Sequence, residues 1–387
     1  MTHFDPQQLA ERLDAHVAAE AALAHLGGIG IYVAQGGKPI YKKYHGCKSY
    51  TTGEPLSESG DTTVFRLASM SKPITAVAAL IQVSRGLLDL DEPIDKYLPA
   101  FAEMNIGKLE EDGSFTFVKK ATTKLTSRIL LNHTNGVGTY ELGERQISAM
   151  SAEDMQDLRH VVDYISRSYL SFNPGDEQMY SGVWAFDVMA RVIEETSGVD
   201  FATFLKQNIF DPCGMIDTTF DPTPDQWSRF IAVHGCSEQD GTPVSVDIPM
   251  RPDTVFAHIP PSWPSGGAGL ASTLPDYVRF VDMLARGGVT ADGVRILPEE
   301  LVRAMATPTV SEAIMPGGER WGLGVRCITP AHPWMPAGCF GWSGAYGTHF
   351  WIDPENDLYF VLMRNSMFEG GAGTEAVCKL ERVVYNK

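Results

Sequence analysis

Apolar residues recur every four positions near the start of the chain, where Leu9, Leu13 and Val17 share one face of "PQQLAERLDAHVAAEAA". That spacing predicts an amphipathic helix. The period then changes: in "GIGIYVAQGGKPIYKKYHG" two alternating runs flank Gly36-Gly37, the pattern of a two-residue hairpin. Helical spacing returns near Ile74 to Arg85, Ala152 to Ser168, Trp184 to Ser197 and Phe201 to Phe210. It recurs over Pro275 to Arg286 and Pro298 to Met305. The stretches "GMIDTTFDPTPDQ" and "HIPPSWPSGGAGL" interrupt it with proline and glycine. Three strand-like runs follow, "RWGLGVRCI", "GTHFWIDP" and "DLYFVLMRN", before a last amphipathic helix over roughly Thr374 to Val384.

Strands at both ends with helices between them predict an α/β (α+β) chain of discontinuous organisation. Residues 1–66 and 266–387 would form an antiparallel sheet flanked by the terminal helices. Residues 67–265 would form an all-helical lobe, with a ligand cleft between the two. The paths of the loops Val137 to Ser168 and Thr219 to Ser265 would set the size of that cleft.

Composition narrows the functions available. The 387 residues are 44% hydrophobic and carry a formal net charge of -17. Such a surface repels phosphate, which argues against nucleic acid and anionic membranes as partners. No basic start followed by an apolar run marks a secretory signal, and no apolar segment approaches spanning length, so the expected location is cytoplasmic. Oligomeric state is not encoded in any feature of the pattern. The six cysteines form no C-x-x-C pair and read as reduced, mostly buried thiols. The ten histidines form no H-E-x-x-H or H-x-H spacing, and neither a metal site nor a cofactor is expected.

The candidate chemistry lies in "FRLASMSKPITAVAALIQVSRG", Phe65 to Gly86. Ser69 and Lys72 are three positions apart, which on a helix puts both on one face. Pro73 belongs in a first helical turn, although it biases Lys72 before it away from helical angles. Ser69 would then sit at the positive end of a helix dipole, where a developing oxyanion is stabilised. The apolar Ile74, Val77, Ala78, Leu80 and Ile81 that follow disfavour a charged ammonium. Taken alone, S-x-x-K also describes a helix N-cap serine and a solvated lysine, and Ser71 is a second possible cap.

Two further segments change that weighing. "FNPGDEQMYSGVWAFDVMARVIEETSG" puts Tyr180 just before an amphipathic helix, and "GWSGAYGTHFWIDPENDLYFVLMRN" is a glycine-lined strand entry followed by a hairpin. In order and spacing these segments resemble the serine β-lactamase and penicillin-binding-protein superfamily, in its class C-like branch. "GLLDLDEPIDKYLPAF", "LTSRILLNHTNG", "NIFDPCGMIDTTF" and "GGAGLASTLPDYVRFVDMLARGG" match in kind, so the likeness runs from about Gly28 to Asn365. It implies a class C β-lactamase-like fold and an acylated Ser69 with Lys72 as its partner. Tyr180 would be the phenolic base or proton shuttle. The backbone N–H groups of Ser69 and Ala345 would form an oxyanion hole. Trp342, Ser343 and Gly344 would line the substrate, with Asn365 near its distal end.

Two positions depart from the family pattern. Gly182 stands where Y-x-N has its asparagine, which weakens recognition of a substrate amide. Trp342 stands where K-T-G has its lysine, which removes the cation that would pair with a substrate carboxylate. S-x-x-K, tyrosine and W-x-G together resemble the family VIII carboxylesterases and related acyltransferases. The implied activity is hydrolysis of small carboxylic esters through acyl-Ser69. The alternatives are a β-lactamase or D-amino-acid peptidase, acyl transfer to an alcohol, and a non-catalytic sensor. No G-x-S-x-G elbow is present; Ser343 in "GWSGA" lacks the last glycine, and His133 in "LLNHTNG" fits a helix-end turn.

Overall fold

The computed structural model describes residues 4–22, 27–248, 259–367, 371 and 373–387. Part of the loop expected to shape the cleft, 249–258, lies outside them. The elements that matter for the site begin with helix α1 (Pro6–Ala22) and strands β1 (Ile29–Gln35) and β2 (Lys38–His45). Helices α2 (Ser71–Ser84), α3 (Trp184–Ser197) and α4 (Leu274–Ala285) follow. Strands β3 (Glu319–Trp321), β4 (Arg326–Ile328), β5 (Phe340–Ser343), β6 (His349–Asp353) and β7 (Leu358–Arg364) lead to helix α5 (Glu375–Tyr385).

The seven strands form one antiparallel sheet in the order β2-β1-β7-β6-β5-β4-β3, so the first hairpin adds to the last strand. Gly36 and Gly37 both have positive φ, +60° and +68°, as the tight β1–β2 turn requires. Along β7 the side chains alternate between two buried faces. Leu358, Phe360 and Leu362 pack with Leu9, Leu13 and Val17 of α1 and with Leu380 and Val384 of α5. Tyr359, Val361 and Met363 share the opposite core with Tyr277, Phe280 and Val281 of α4. Coverage on both sides explains why the run is continuously apolar; each such side chain contributes about 1.5–3 kcal/mol when fully buried.

Helix α2 is almost entirely buried and packs against α3. Lys72 is held inside it despite the following Pro73. Elsewhere the periodicity overshoots. The helix expected from Ala152 begins only at Leu158, because Asp157 caps it by accepting from the His160 N–H at 2.9 Å. The one expected over Phe201 to Phe210 passes into a wider π turn from Lys206. "RWGLGVRCI" is two strands, β3 and β4, paired with each other through Arg326 and Trp321. The middle of the chain also holds two hairpins, Asn105–Leu109 with Phe115–Lys120 and Val233–Gln239 with Thr242–Ile248, so it is not all helix. Among the described residues no helix is long and apolar enough to cross a membrane.

Candidate active site

Ser69 sits in a single tight turn, Ala68–Met70, that feeds directly into α2. Ala68 has a φ of 45°, a left-handed conformation that costs a non-glycine residue energy and persists only when its surroundings enforce it. Those surroundings are visible. Phe65–Arg66 pairs with Ala271–Ser272, and Thr348 Oγ1 donates to Leu67 O at 3.1 Å. Asn365 brackets Arg66, accepting from its N–H at 2.9 Å and donating to its carbonyl at 3.0 Å. Asn365 is fully buried with its carboxamide committed to main chain. It fastens β7 to the serine segment, and its side chain is not presented to a ligand.

Lys72 is also fully buried. Its Nζ donates to Gly182 O at 2.5 Å and Gly267 O at 2.9 Å, and lies 3.2 Å from Ser69 Oγ. This geometry has a chemical consequence. Two carbonyls, which can only accept, claim two hydrogens of the amine. The remaining direction of Nζ faces Ser69. Charged, the amine donates a hydrogen to Oγ; neutral, it offers a lone pair to the Oγ–H.

Tyr180 closes the group from the other side. Lys72 Nζ is 4.9 Å from its ring centroid, and its hydroxyl accepts from Trp342 Nε1 at 3.3 Å. No hydrogen bond joins that hydroxyl to Ser69 or Lys72. The Tyr180 ring stacks on Trp321, with centroids 5.8 Å apart and planes at 16°, and Trp321 in turn meets Trp342 edge-on at 4.4 Å.

His133 supports this arrangement from beneath. Its ring lies 4.6 Å from that of Tyr180, its carbonyl accepts from Met179 N–H, and its Nδ1 accepts from Ser181 N–H at 3.1 Å. The two residues flanking Tyr180 are therefore both tied to His133. Burial, and then the nearby Lys72 charge, push its imidazole well below the usual histidine range, so it stays neutral.

The third expected element divides. Trp342 and Ser343 are neighbours on β5 and point to opposite faces. Trp342 faces Tyr180. Ser343 is buried on the far side, its Oγ 2.6 Å from His349 Nδ1, so it is not a substrate contact. Behind His349, Glu381 pairs with Arg326 at 2.5 Å and accepts from Trp334 Nε1 at 2.9 Å. Burial opposes its ionisation, but Arg326 and His349 hold the Glu381 carboxyl well below the ordinary range. Gly344 is pressed onto the serine segment: a Cβ there would stand 2.2 Å from Leu67 O. The following Ala345 is exposed in the turn beside that segment. Gly182 contributes only its carbonyl, and a side chain placed there would meet open space. Ser71 is structural, its Oγ accepting from Leu270 N–H at 3.1 Å.

A cavity of about 380 Å³ opens beside Ala68 and Ala268, the chain neighbours of Ser69 and Gly267. Its walls include Phe220, Trp227, Phe230, Ile259 and Tyr346, with the Arg66 guanidinium 4.7 Å above the Phe230 ring. Trp321, His133 and Asp187, a carboxylate buried on α3, were not anticipated as parts of the site.

A two-face-covered antiparallel sheet of both chain ends, with S-x-x-K at the mouth of a buried helix, defines the β-lactamase and penicillin-binding-protein type of fold. The beta-lactamase family model matches residues 13–377, and the chain belongs to that family. It is 30% identical, over 399 aligned residues, to esterase EstB of Burkholderia gladioli, covering 96% of this chain and 94% of the relative. It is 27% identical to acyltransferase calJ of Penicillium decumbens, covering 82% and 79%. Among solved structures, EstCE1, a hydrolase with promiscuous acyltransferase activity, superposes with a TM-score of 0.78 at 22% identity, over 98% of this chain and 99% of that one. A family VIII carboxylesterase superposes at 0.74 with 16% identity, over 98% and 97%.

Proposed function

We propose that the protein is a serine carboxylesterase that works through an acyl-Ser69 intermediate. The observation that carries the reading is the placement of Lys72, with two hydrogens taken by the Gly182 and Gly267 carbonyls and its third direction on Ser69 Oγ. In its neutral form Lys72 takes the hydroxyl proton as Oγ attacks the ester carbonyl. The oxygen that gains charge is met by the N–H groups of Ser69 and Ala345. Collapse breaks the bond to the alcohol, which leaves with a proton relayed through Lys72 and Tyr180. Water then attacks acyl-Ser69 by the same route, releasing the acid and restoring the serine.

Trp342 favours esters over β-lactams and peptides. It places an indole, bonded to Tyr180, where a cation would hold a substrate carboxylate. A second reading, transfer of the acyl group to an alcohol, differs only in what attacks the intermediate, and the similarity to calJ and EstCE1 supports it. The test is hydrolysis of p-nitrophenyl acetate and butyrate by wild type and Ser69→Ala. The reading requires that the variant lose nearly all turnover; equal release of nitrophenol by both would end it. Added short alcohols that yield a new ester, in place of free acid, would favour transfer.

A further inference from the structure

The Lys72 amine is fully buried, and its hydrogen bonds are to two carbonyls and one hydroxyl. One carbonyl belongs to Gly267, in a segment of chain without helix or strand. Something must hold that segment, since a carbonyl displaced by an ångström no longer claims its hydrogen and the lysine turns off the serine.

Asp187 of α3 is fully buried against that segment. Its Oδ1 accepts from Ser265 Oγ at 2.7 Å and more distantly from Gly267 N–H at 3.4 Å; its Oδ2 accepts from Trp263 Nε1 at 3.0 Å. The same segment gives Gly266 O to Thr75 Oγ1 at 2.8 Å. It also lies hard on α3 and the turn before it, for a Cβ on Gly266 would come within 2.5 Å of Phe186 O and one on Gly267 within 2.5 Å of Val183 O. The segment is gripped from both sides, and the carboxylate is its polar anchor.

Resting on the ester-hydrolase reading, we propose that Asp187 is a positioning residue for Lys72: by holding Trp263, Ser265 and Gly267 it fixes the Gly267 carbonyl that orients the amine toward Ser69. The donor pattern calls for a carboxylate specifically. Both of its oxygens accept, and the indole and backbone N–H groups can only donate. An amide in its place turns an NH₂ toward one of those donors, and a protonated carboxyl must give its hydrogen to Ser265 Oγ, which then no longer donates to it. The charged group that acts on Asp187 is Lys72, from α2.

The experiment measures p-nitrophenyl butyrate turnover, and the rate at which a fluorophosphonate labels Ser69, between about pH 5.5 and about pH 9. It compares wild type, Asp187→Asn and Ser69→Ala, with folding checked by near-ultraviolet circular dichroism. A folded Asp187→Asn should show KM within about two-fold of wild type, kcat lower by about ten-fold or more, and labelling slowed in step. It should also lack the wild-type ionisation on the acidic limb.

If that variant does not fold, Ser265→Ala and Trp263→Phe each remove one donor and leave the carboxylate in place. Each should lower kcat and move the acidic limb to higher pH, because the lost hydrogen bond favoured the ionised form. A folded variant with wild-type kcat and an unmoved limb overturns the proposal. Ser69→Ala inactive beside an unaffected Asp187→Asn sinks this proposal alone; Ser69→Ala as active as wild type sinks it together with the ester reading.

Discussion

The indole of Trp342 donates its hydrogen to the hydroxyl of Tyr180 across 3.3 Å. That bond joins strand β5 to the phenol at the other side of the serine. It also occupies a lone pair of the oxygen proposed to relay protons. Trp342→Phe keeps an aromatic wall and removes the donor, so ester kcat should change by about three- to ten-fold with the binding of neutral substrates nearly kept. Trp342→Lys goes further and restores a cation. The ratio of nitrocefin to p-nitrophenyl butyrate hydrolysis should then rise by about ten-fold or more. An unchanged ratio would show that the indole does not set the preference.

Parts of this site are local in the chain, and those parts were legible. Ser69 and Lys72 lie one helical turn apart, and the Gly36-Gly37 turn and the apolar run of β7 carry their own periodicity. Alternation along β5 also implied that Trp342 and Ser343 could not both face the cleft, yet a motif reads them as one unit. The remaining parts depend on contacts between distant segments. Asn365 looks like a strand-end residue until Arg66, 299 positions away, is seen between its two hydrogen bonds. His133 acts through a left-handed turn, φ 62°, that brings it under Tyr180. For Asp187 a signal existed: an acidic residue in the apolar run "WAFDVMARVI" needs buried donors, although nothing nearby says which.

Lys72→Met separates chemistry from folding. The thioether fills much of the same space, and ending the burial of a polar amine offsets the cost of leaving two carbonyls without a donor. The melting temperature should move by only about a few degrees. Ester kcat should fall by about 10²- to 10⁴-fold, the range typical of a lost proton-transfer group. Turnover within a few-fold of wild type would show that Ser69 is activated by some other base.

Two glycines make opposite predictions. Gly182 has open space where a side chain would begin, so Gly182→Asn should fold with the wild-type melting transition. It should also raise activity toward amide-bearing substrates relative to simple esters. Gly344 has the Leu67 carbonyl 2.2 Å from the same point, so Gly344→Ala must push β5 away from the serine turn. A loss of about 1–3 kcal/mol in stability and of most ester turnover is expected, measured by urea unfolding and initial rates. If both variants behave alike, the close approach at Gly344 does not hold the site together.

Asp187 should also leave a mark on how stability depends on pH. Burial pushes its carboxyl up from 3.8 to about 7, although Ser265, Trp263, Gly267 and the Lys72 charge all pull it down. Between those two values the folded protein holds a proton that the unfolded chain has released. Stability from this group is therefore complete below 3.8 and is lost as pH rises through about 7. The rise from 3.8 to about 7 corresponds to about 4 kcal/mol between the two ends of that window. The comparison that isolates it is the difference in unfolding free energy between wild type and Asp187→Asn at a series of pH values. That difference should move in favour of the asparagine variant as pH climbs from about 4 to about 7, then level off. A difference that stays flat across the window would mean that Asp187 is ionised throughout, and that its three donors and Lys72 outweigh its burial.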